Sequence, residues 1–279
     1  MTVYRTLLQK LGQYKTRKQG QEFIFSCPKC KRLKFEVNFK KRLFNCFRCG
    51  WSGGIYQLYG YFKLSSSKFQ PILTKSNPIE TKEITIPKYM DTSHFSWKER
   101  KYLFDRGLDF QRTYDLKWGL SSDPKYRNRV MIPIIEDGKI VCYTARAVLP
   151  AMNPKELFPK AEVANKSHFL YNYDGISARD EVIVVEGIFD CEHLVKLGHK
   201  SVAILGSKIS ETQIGKLLGK KPLSVTLMFD GDSAGIKGQI EAYASISKRY
   251  SGHVYMCKLP FERDPDELTK DEIETLLRG

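Results

Sequence analysis

From Asp180 to the end of the chain, short unbroken apolar runs alternate with longer amphipathic stretches. The runs Val182–Val185, Val202–Leu205, Val225–Phe229 and His253–Leu259 predict strands buried on both faces. Between them, Phe189–Leu197, Glu211–Leu218 and Ile236–Tyr250 predict helices, and a last helix reaches Leu277. Repeated βα units with short connections specify a parallel sheet covered by helices, so the fold class is α/β. Gly198, Gly219 and Gly252 stand where helix C-caps are expected.

The pattern upstream is different. Leu7, Leu8 and Leu11 mark one side of a short helix over Thr2–Leu11, and Glu22–Tyr61 alternates aromatic and basic residues around paired cysteines. Residues 65–82 are rich in Ser, Thr, Lys and Pro with no sustained period, the composition of a linker. A charged helix over Trp97–Arg106 ends at Gly107, with a second short helix after it. The run Arg129–Ile135 turns at Asp137-Gly138 into Ile140–Thr144, which predicts a hairpin. At 279 residues the chain suits two or three domains, an α+β multidomain arrangement overall.

Charge adds a class of partner. Lys and Arg number 46 against 31 Asp and Glu, a net charge of +15 with a pI near 9.4, which favours a polyanion. No run approaches the roughly 18 apolar residues of a membrane span, so a membrane partner is not expected. The first ten residues lack the apolar core of a secretory signal, which points to the cytoplasm.

Seven cysteines in a reducing compartment argue for metal ligation over disulfides. Cys27-Pro-Lys-Cys30 and Cys46-Phe-Arg-Cys49 are two C-x₂-C knuckles separated by 15 residues, a spacing that brings four thiolates to one tetrahedral Zn²⁺. The alternating, basic segment between them fits the hairpin of a zinc ribbon. With all four positions filled by protein, the ion is structural: so short a segment buries too little surface to fold alone. Phe35, Phe39, Phe44, Phe47 and Trp51 interleave with Lys31, Arg32, Lys34, Lys40, Lys41, Arg42 and Arg48, the mixture that stacks bases and holds phosphates of a single strand. Cys142, Cys191 and Cys257 read as small buried hydrophobes.

Two predicted strands end in acid: Val182-Ile-Val-Val-Glu186-Gly187 and, 44 residues on, Val225-Thr-Leu-Met-Phe-Asp230-Gly231-Asp232. Open α/β sheets bind their ligands at the carboxyl edge, where these carboxylates meet. They repel one another unless a divalent cation neutralises them, and hard oxygen donors favour Mg²⁺ or Mn²⁺. Gly187 and Gly231 let phosphate oxygens approach the backbone. Asp-Gly-Asp is also a common turn; its place at a strand end, beside a second strand ending in Glu-Gly, is what marks it.

The motifs Val184-Val-Glu186-Gly-Ile-Phe-Asp190 and Phe229-Asp230-Gly-Asp232-Ser-Ala-Gly235 resemble those of the TOPRIM domain, shared by bacterial and phage primases, topoisomerases and some nucleases. Tyr102-Leu-Phe-Asp-Arg106-Gly107-Leu, Asn128-Arg129-Val-Met-Ile-Pro-Ile, Thr144-Ala-Arg146-Ala and Asn165-Lys166-Ser-His-Phe-Leu-Tyr171 are similar to the segments that precede TOPRIM in bacterial-type replicative primases, which also carry an N-terminal four-cysteine ribbon. The resemblance covers nearly the whole chain except the linker. It implies a zinc-ribbon DNA-binding domain over 1–64, a linker over 65–83, the N-terminal subdomain of an RNA polymerase module over 84–178 and a TOPRIM domain with a C-terminal helix over 179–279.

The implied function is a DNA primase: a DNA-directed RNA polymerase that makes short RNA primers on single-stranded DNA from ribonucleoside triphosphates, using Mg²⁺ or Mn²⁺. Glu186, Asp190, Asp230 and Asp232 are implied as catalytic, and Glu186, Asp230, Asp232, Asp264 and Asp266 as holding the metal. Arg129, Arg146 and Lys166, together with Lys155, Lys208 and Lys237, would face nucleotide or template. Glu156 and Phe158 depart from the tyrosine and asparagine usual in that family. Gly215-Lys-Leu-Leu-Gly219-Lys-Lys221 lacks the spacing and hydroxyl of a Walker A loop, so any helicase is a separate partner. The alternatives are a TOPRIM-type nuclease and a non-catalytic nucleic-acid-binding replication accessory.

Overall fold

The computed structural model describes residues 5–13, 15–16, 22–39, 43–64 and 82–278. Nearly all of the expected linker, and Lys40, Lys41 and Arg42, lie outside the described residues.

The first unit contains α1 (Arg5–Leu11), β1 (Lys15–Thr16), β2 (Glu22–Phe25), β3 (Phe35–Asn38), β4 (Leu43–Cys46), β5 (Ser52–Gly54) and α2 (Ile55–Tyr61). Its strands pair antiparallel in sequence order. Period-two alternation sets its core: Phe35 and Val37 of β3 are buried while Glu36 and Asn38 are half-buried, and they join Phe25, Phe44, Leu7, Ile55 and Leu58.

The second unit contains β6 (Tyr89–Asp91), α3 (Trp97–Asp105), α4 (Phe110–Asp115), β7 (Gly119–Ser121), β8 (Arg129–Glu136), β9 (Lys139–Ala147) and β10 (Glu156–Leu157), with sheet order β10-β9-β8-β7-β6. The β8–β9 hairpin turns on Asp137 and Gly138, both with positive φ (51° and 74°), as the twist of paired strands requires. The Asp174 carboxylate accepts from both turn N–H groups, at 2.7 and 2.9 Å.

The third unit contains β11 (Glu181–Val185), α5 (Ile188–Lys196), β12 (Lys200–Ala203), α6 (Glu211–Gly219), β13 (Ser224–Leu227), α7 (Ser233–Ser247), β14 (His253–Met256) and α8 (Lys270–Arg278). The predicted parallel sheet is present, with order β12-β11-β13-β14. Val182 and Val184 of β11 pack with α6 and α7 on one face, and Ile183 and Val185 pack with α5 and α8 on the other. That second face is shared: Val130, Ile132 and Ile134 of β8 and Trp118 lie in the same core, which crosses the expected boundary at residue 178. Tyr171 adds an antiparallel bridge to Ala203 at the β12 edge.

Because the chain steps from β11 outward to β12 and then back across to β13, the connections leaving β11 and β13 diverge. This is the topological switch point of an open α/β sheet, and the crevice it leaves lies between the ends of β11 and β13.

Two local expectations need correction. Among the three proposed cap glycines, Gly198 takes the left-handed conformation (φ 95°), whereas α6 runs through Gly219 and Lys221 turns left-handed after it. Helix α7 begins at Ser233, ahead of the expected Ile236, because the Asp232 carboxylate caps it by accepting from Gly235 N at 2.6 Å.

Candidate active site

The two cysteine knuckles are built alike. Lys31 N donates to Cys27 O at 2.8 Å and Gly50 N to Cys46 O at 2.9 Å, with Lys31 and Gly50 both left-handed. Each turn thereby aims two thiols inward, and the Sγ atoms of Cys27, Cys30, Cys46 and Cys49 all lie within 4.8 Å of one another. Burial raises the Cys46 thiol, but backbone N–H groups at Cys49 and Arg48 outweigh it and bring the pKa to about 7; at Cys27 burial prevails and pushes it up to about 12. The donor set fits Zn²⁺, which would bind the four cysteines as thiolates and close the tetrahedron.

At the switch point, Glu186 follows β11 and Asp230 follows β13. Asp230 N donates to Glu186 Oε1 at 3.3 Å. Asp190, on the first turn of α5, is 7% exposed; its carboxylate accepts from Gly187 N and from Asp266 N, both at 3.2 Å. The loop after β14 is tied to the loop after β13 by Gly231 N to Arg263 O (2.9 Å) and Glu262 N to Gly231 O (3.1 Å), which brings Asp264 and Asp266 alongside. The expected acidic residues are therefore gathered at one edge.

Two glycines make the approach possible. A Cβ at Gly231 would stand 2.2 Å from Pro260 O, and one at Gly235 would stand 2.3 Å from Asp230 O and 2.8 Å from Glu186 Oε1. Leu205, two residues past the end of β12, takes φ 63°, a conformation costly for leucine, and donates its N–H to Glu186 O at 3.0 Å.

Burial first, then the neighbouring carboxylates, raises the Glu186 carboxyl to about 7, although the Asp230 N–H works the other way. Burial raises Asp190 and Asp230 to about 7 as well, with Asp266 next in weight at Asp190 and Glu186 at Asp230. Asp264 is raised by the same causes. Asp230 Oδ1 is buried with no hydrogen-bond partner. An orphaned carboxylate oxygen among repelling carboxylates is the environment that a hard divalent cation completes, so the residues present fit such an ion. The carboxylates are set wider than the thiols and do not close to the same spacing.

The basic residues divide. Arg146 donates to Tyr102 OH and to the Glu156 carboxylate, each at 2.9 Å, and its guanidinium lies 5.2 Å from the centre of the Phe189 ring, next to Asp190. Lys166 lies over the Phe158 ring at 4.5 Å and close beside Gly206, at the same sheet edge. Glu156 and Phe158, the two departures from the family pattern, are thus the partners of two expected basic residues. Lys208 is exposed, 3.4 Å from the Glu241 carboxylate, and Lys237 is exposed near the start of α7. The Lys155 side chain is exposed, and its carbonyl accepts from Ala147 N at 2.9 Å.

Arg129 is a correction. It is 4% exposed and donates to the carbonyls of Pro154 (2.8 Å), Ala145 (3.0 Å) and Lys155 (3.4 Å), so it fastens a loop rather than facing a ligand. The register explains it: Arg129 pairs with Ala147 and Val130 with Arg146, so the two arginines point to opposite faces of the hairpin. Arg106 was not singled out from the sequence. It caps the end of α3, donates to Asp266 Oδ2 at 3.1 Å and also packs on the site's aromatic ring, its guanidinium 4.8 Å from the centre of Phe189. Its one local signal was its place in a family-like segment.

The ribbon aromatics also divide. Phe35 and Phe44 are core, Trp51 stacks on Phe35 at 5.5 Å and carries the Lys29 ammonium over its ring at 4.9 Å, and Phe47 is 65% exposed. The ribbon rests on the third unit: Gln57 Nε2 donates to Val254 O at 3.2 Å, and Gly54 meets Ser247 so closely that a Cβ would stand 2.9 Å from its carbonyl oxygen.

Comparison with known proteins agrees with this architecture. A family model described as Toprim-like matches residues 183–269. A DNA primase of Staphylococcus aureus (strain MSSA476) is 32% identical over 190 residues, which take in 63% of this chain and 30% of that protein. Among solved structures, the zinc-binding and RNA polymerase domains of the Aquifex aeolicus primase match 100% of this chain and 83% of theirs, with a TM-score of 0.57 at 21% identity. A primase catalytic domain bound to single-stranded DNA matches 80% of this chain and 79% of its own, with a TM-score of 0.55 at 21% identity. The chain thus shares the fold of primase zinc-binding and RNA polymerase domains, and its resemblance to the zinc-ribbon TOPRIM primases holds. It spans 30% of the length of that Staphylococcus aureus relative and 53% of a DNA primase of Listeria monocytogenes to which it is 24% identical. Among the described residues no helix is long and apolar enough to cross a membrane.

Proposed function

We propose that this chain is a DNA primase, a DNA-directed RNA polymerase that joins ribonucleoside triphosphates into short RNA on single-stranded DNA in the cytoplasm. The observation that carries the reading is the gathering of Glu186, Asp230 and Asp232 at the switch point, with the buried, unpartnered Asp230 Oδ1 among them. Glu186, Asp230 and Asp232 would hold Mg²⁺ or Mn²⁺, with Asp264 and Asp266 at the rim, and such an ion supplies neutralising charge to the triphosphate and the leaving pyrophosphate.

The chain's own residues do the rest. Asp190, held by two backbone N–H groups, fixes α5 against the loop that carries Asp264. Arg146 and Lys166 offer cations to the triphosphate, and the groups they now contact, Glu156 and the Phe158 ring, keep them oriented. Lys208 and Lys237 add exposed charge for the template, and the ribbon, with Phe47 outward, adds a stacking platform. A separate replicative helicase is the expected protein partner.

Purified protein given Mg²⁺ or Mn²⁺, the four ribonucleoside triphosphates and a mixed-sequence single strand is expected to yield oligoribonucleotides. Asp230→Asn is expected to abolish them while leaving zinc content and fold intact. Synthesis that persists in this variant overturns the reading. Metal-dependent cleavage of labelled DNA in the absence of nucleotides favours a TOPRIM nuclease instead.

A further inference from the structure

Helix α3 has two faces with different fates. Tyr102 and Arg106 turn inward to Phe189 and the acidic site. Trp97, Arg100, Lys101 and Phe104, at spacings of three and four, turn outward with α4 and line a concavity of about 470 Å³ floored by Leu103 and Leu108. Around it Trp97 is 73% exposed, Phe104 74%, Tyr114 58% and Phe110 44%, a density of open aromatic surface that a soluble chain keeps for a partner.

The charges say which partner. The chain carries +15, yet the charged residues lining this concavity are two cations, Arg100 and Lys101, and two anions, Asp105 and Asp109, which cancel. A polyanion gains nothing here. The cations lie in the middle of α3, while the anions lie at and beyond its C-terminal end. Such a face is complementary to itself when rotated by half a turn.

We propose that a second copy of the chain docks on this face, the two α3 helices antiparallel about a two-fold axis. Phe104 of each copy then enters the other's concavity, and Arg100 and Lys101 of each face Asp105 and Asp109 of the other. The present partners do not prevent this. Lys101 and Asp105 form an exposed ion pair at 2.7 Å, which exchanges at little cost, and the Arg100 guanidinium lies over Phe110 at 4.8 Å. Helix α3 is rigid enough to serve, since Ser96 and Glu99 close a capping box at its start. Docking covers the outward face alone, so both acidic sites of the pair stay open.

Sedimentation velocity on the nucleic-acid-free, zinc-loaded full chain, over about 1 to 100 µM, tests this. The wild type is expected to shift from monomer to dimer as concentration rises. Phe104→Arg is expected to weaken association at least about tenfold. Asp105→Lys and Lys101→Asp are each expected to weaken self-association, and an equimolar mixture of the two single variants to restore it as a mixed dimer, which repair of the ion pair within one chain cannot produce because neither variant can form it. A wild type that stays monomeric throughout, that dimerises only when nucleic acid is added, or that dimerises equally well with Phe104→Arg overturns the proposal.

Discussion

Asp230, three residues past the end of the buried strand β13, has one carboxylate oxygen that touches no donor, and Glu186 and Asp190 share its crowded surroundings. All three carboxyls are raised to about 7, against the usual carboxylate range near 4. For a carboxyl raised on folding, the folded state binds protons more tightly than the unfolded one. Its contribution to stability is therefore complete below the usual carboxylate range and is lost as pH rises through about 7. A divalent cation binds the deprotonated set and offsets that loss. Differential scanning fluorimetry is expected to show Mn²⁺ raising the melting temperature by several degrees near pH 8 and hardly at all near pH 5.5. Asp230→Asn is expected to raise the metal-free melting temperature near pH 8 and to remove most of the Mn²⁺ effect. Equal stabilisation at both pH values would contradict the assignment. At this scale the sequence revealed what strand ends reveal. Glu186 and Asp230 were legible because an unbroken apolar run places its last residue at a sheet edge, whereas the fate of Arg129 depends on a one-residue register offset across the hairpin that no local pattern encodes.

The elements that hold these residues meet at very short distances. Helix α7 starts beside Asp230 only because Gly235 has no side chain, since a Cβ there would stand 2.3 Å from Asp230 O and 2.8 Å from Glu186 Oε1. Gly235→Ala is expected to destabilise the protein by about 1–3 kcal/mol in urea unfolding and to abolish stabilisation by Mn²⁺. Gly60→Ala, also on a helix but with nothing within 4 Å of its Cβ, is the control and is expected to be neutral or slightly stabilising. Comparable effects of the two would show that the close approach at Gly235 does not matter. The strands were legible because both faces of a parallel sheet are buried, which leaves continuous apolar runs. The start of α7 was missed because Asp232, which was assigned to metal, also serves as the helix cap. The left-handed Leu205 has no sequence signal, because leucine is not a residue that announces such a turn.

At the scale of the whole molecule, the α/β sheet and the β8–β9 hairpin share one core while the ribbon keeps its own. Two cooperative units follow. Removing zinc with a strong chelator is expected to unfold the ribbon alone, giving loss of near-ultraviolet circular dichroism from Trp51 while the transition of residues 82–278 persists. Coincident loss of both transitions would contradict the division. The shared core explains why a boundary near residue 178 was legible as a change of pattern but does not separate two independent folds. The basic excess forecast a polyanionic partner without locating its path, because exposed lysines such as Lys208 and Lys237 are positioned by tertiary structure alone. The central claim is that carboxylates from separate strands and loops share a divalent cation. Anomalous scattering from crystals soaked in MnCl₂ tests it most directly. The account predicts a manganese peak ligated by Asp230 Oδ1 together with Glu186 or Asp232, whereas manganese bound elsewhere, with no peak between these residues, would contradict it.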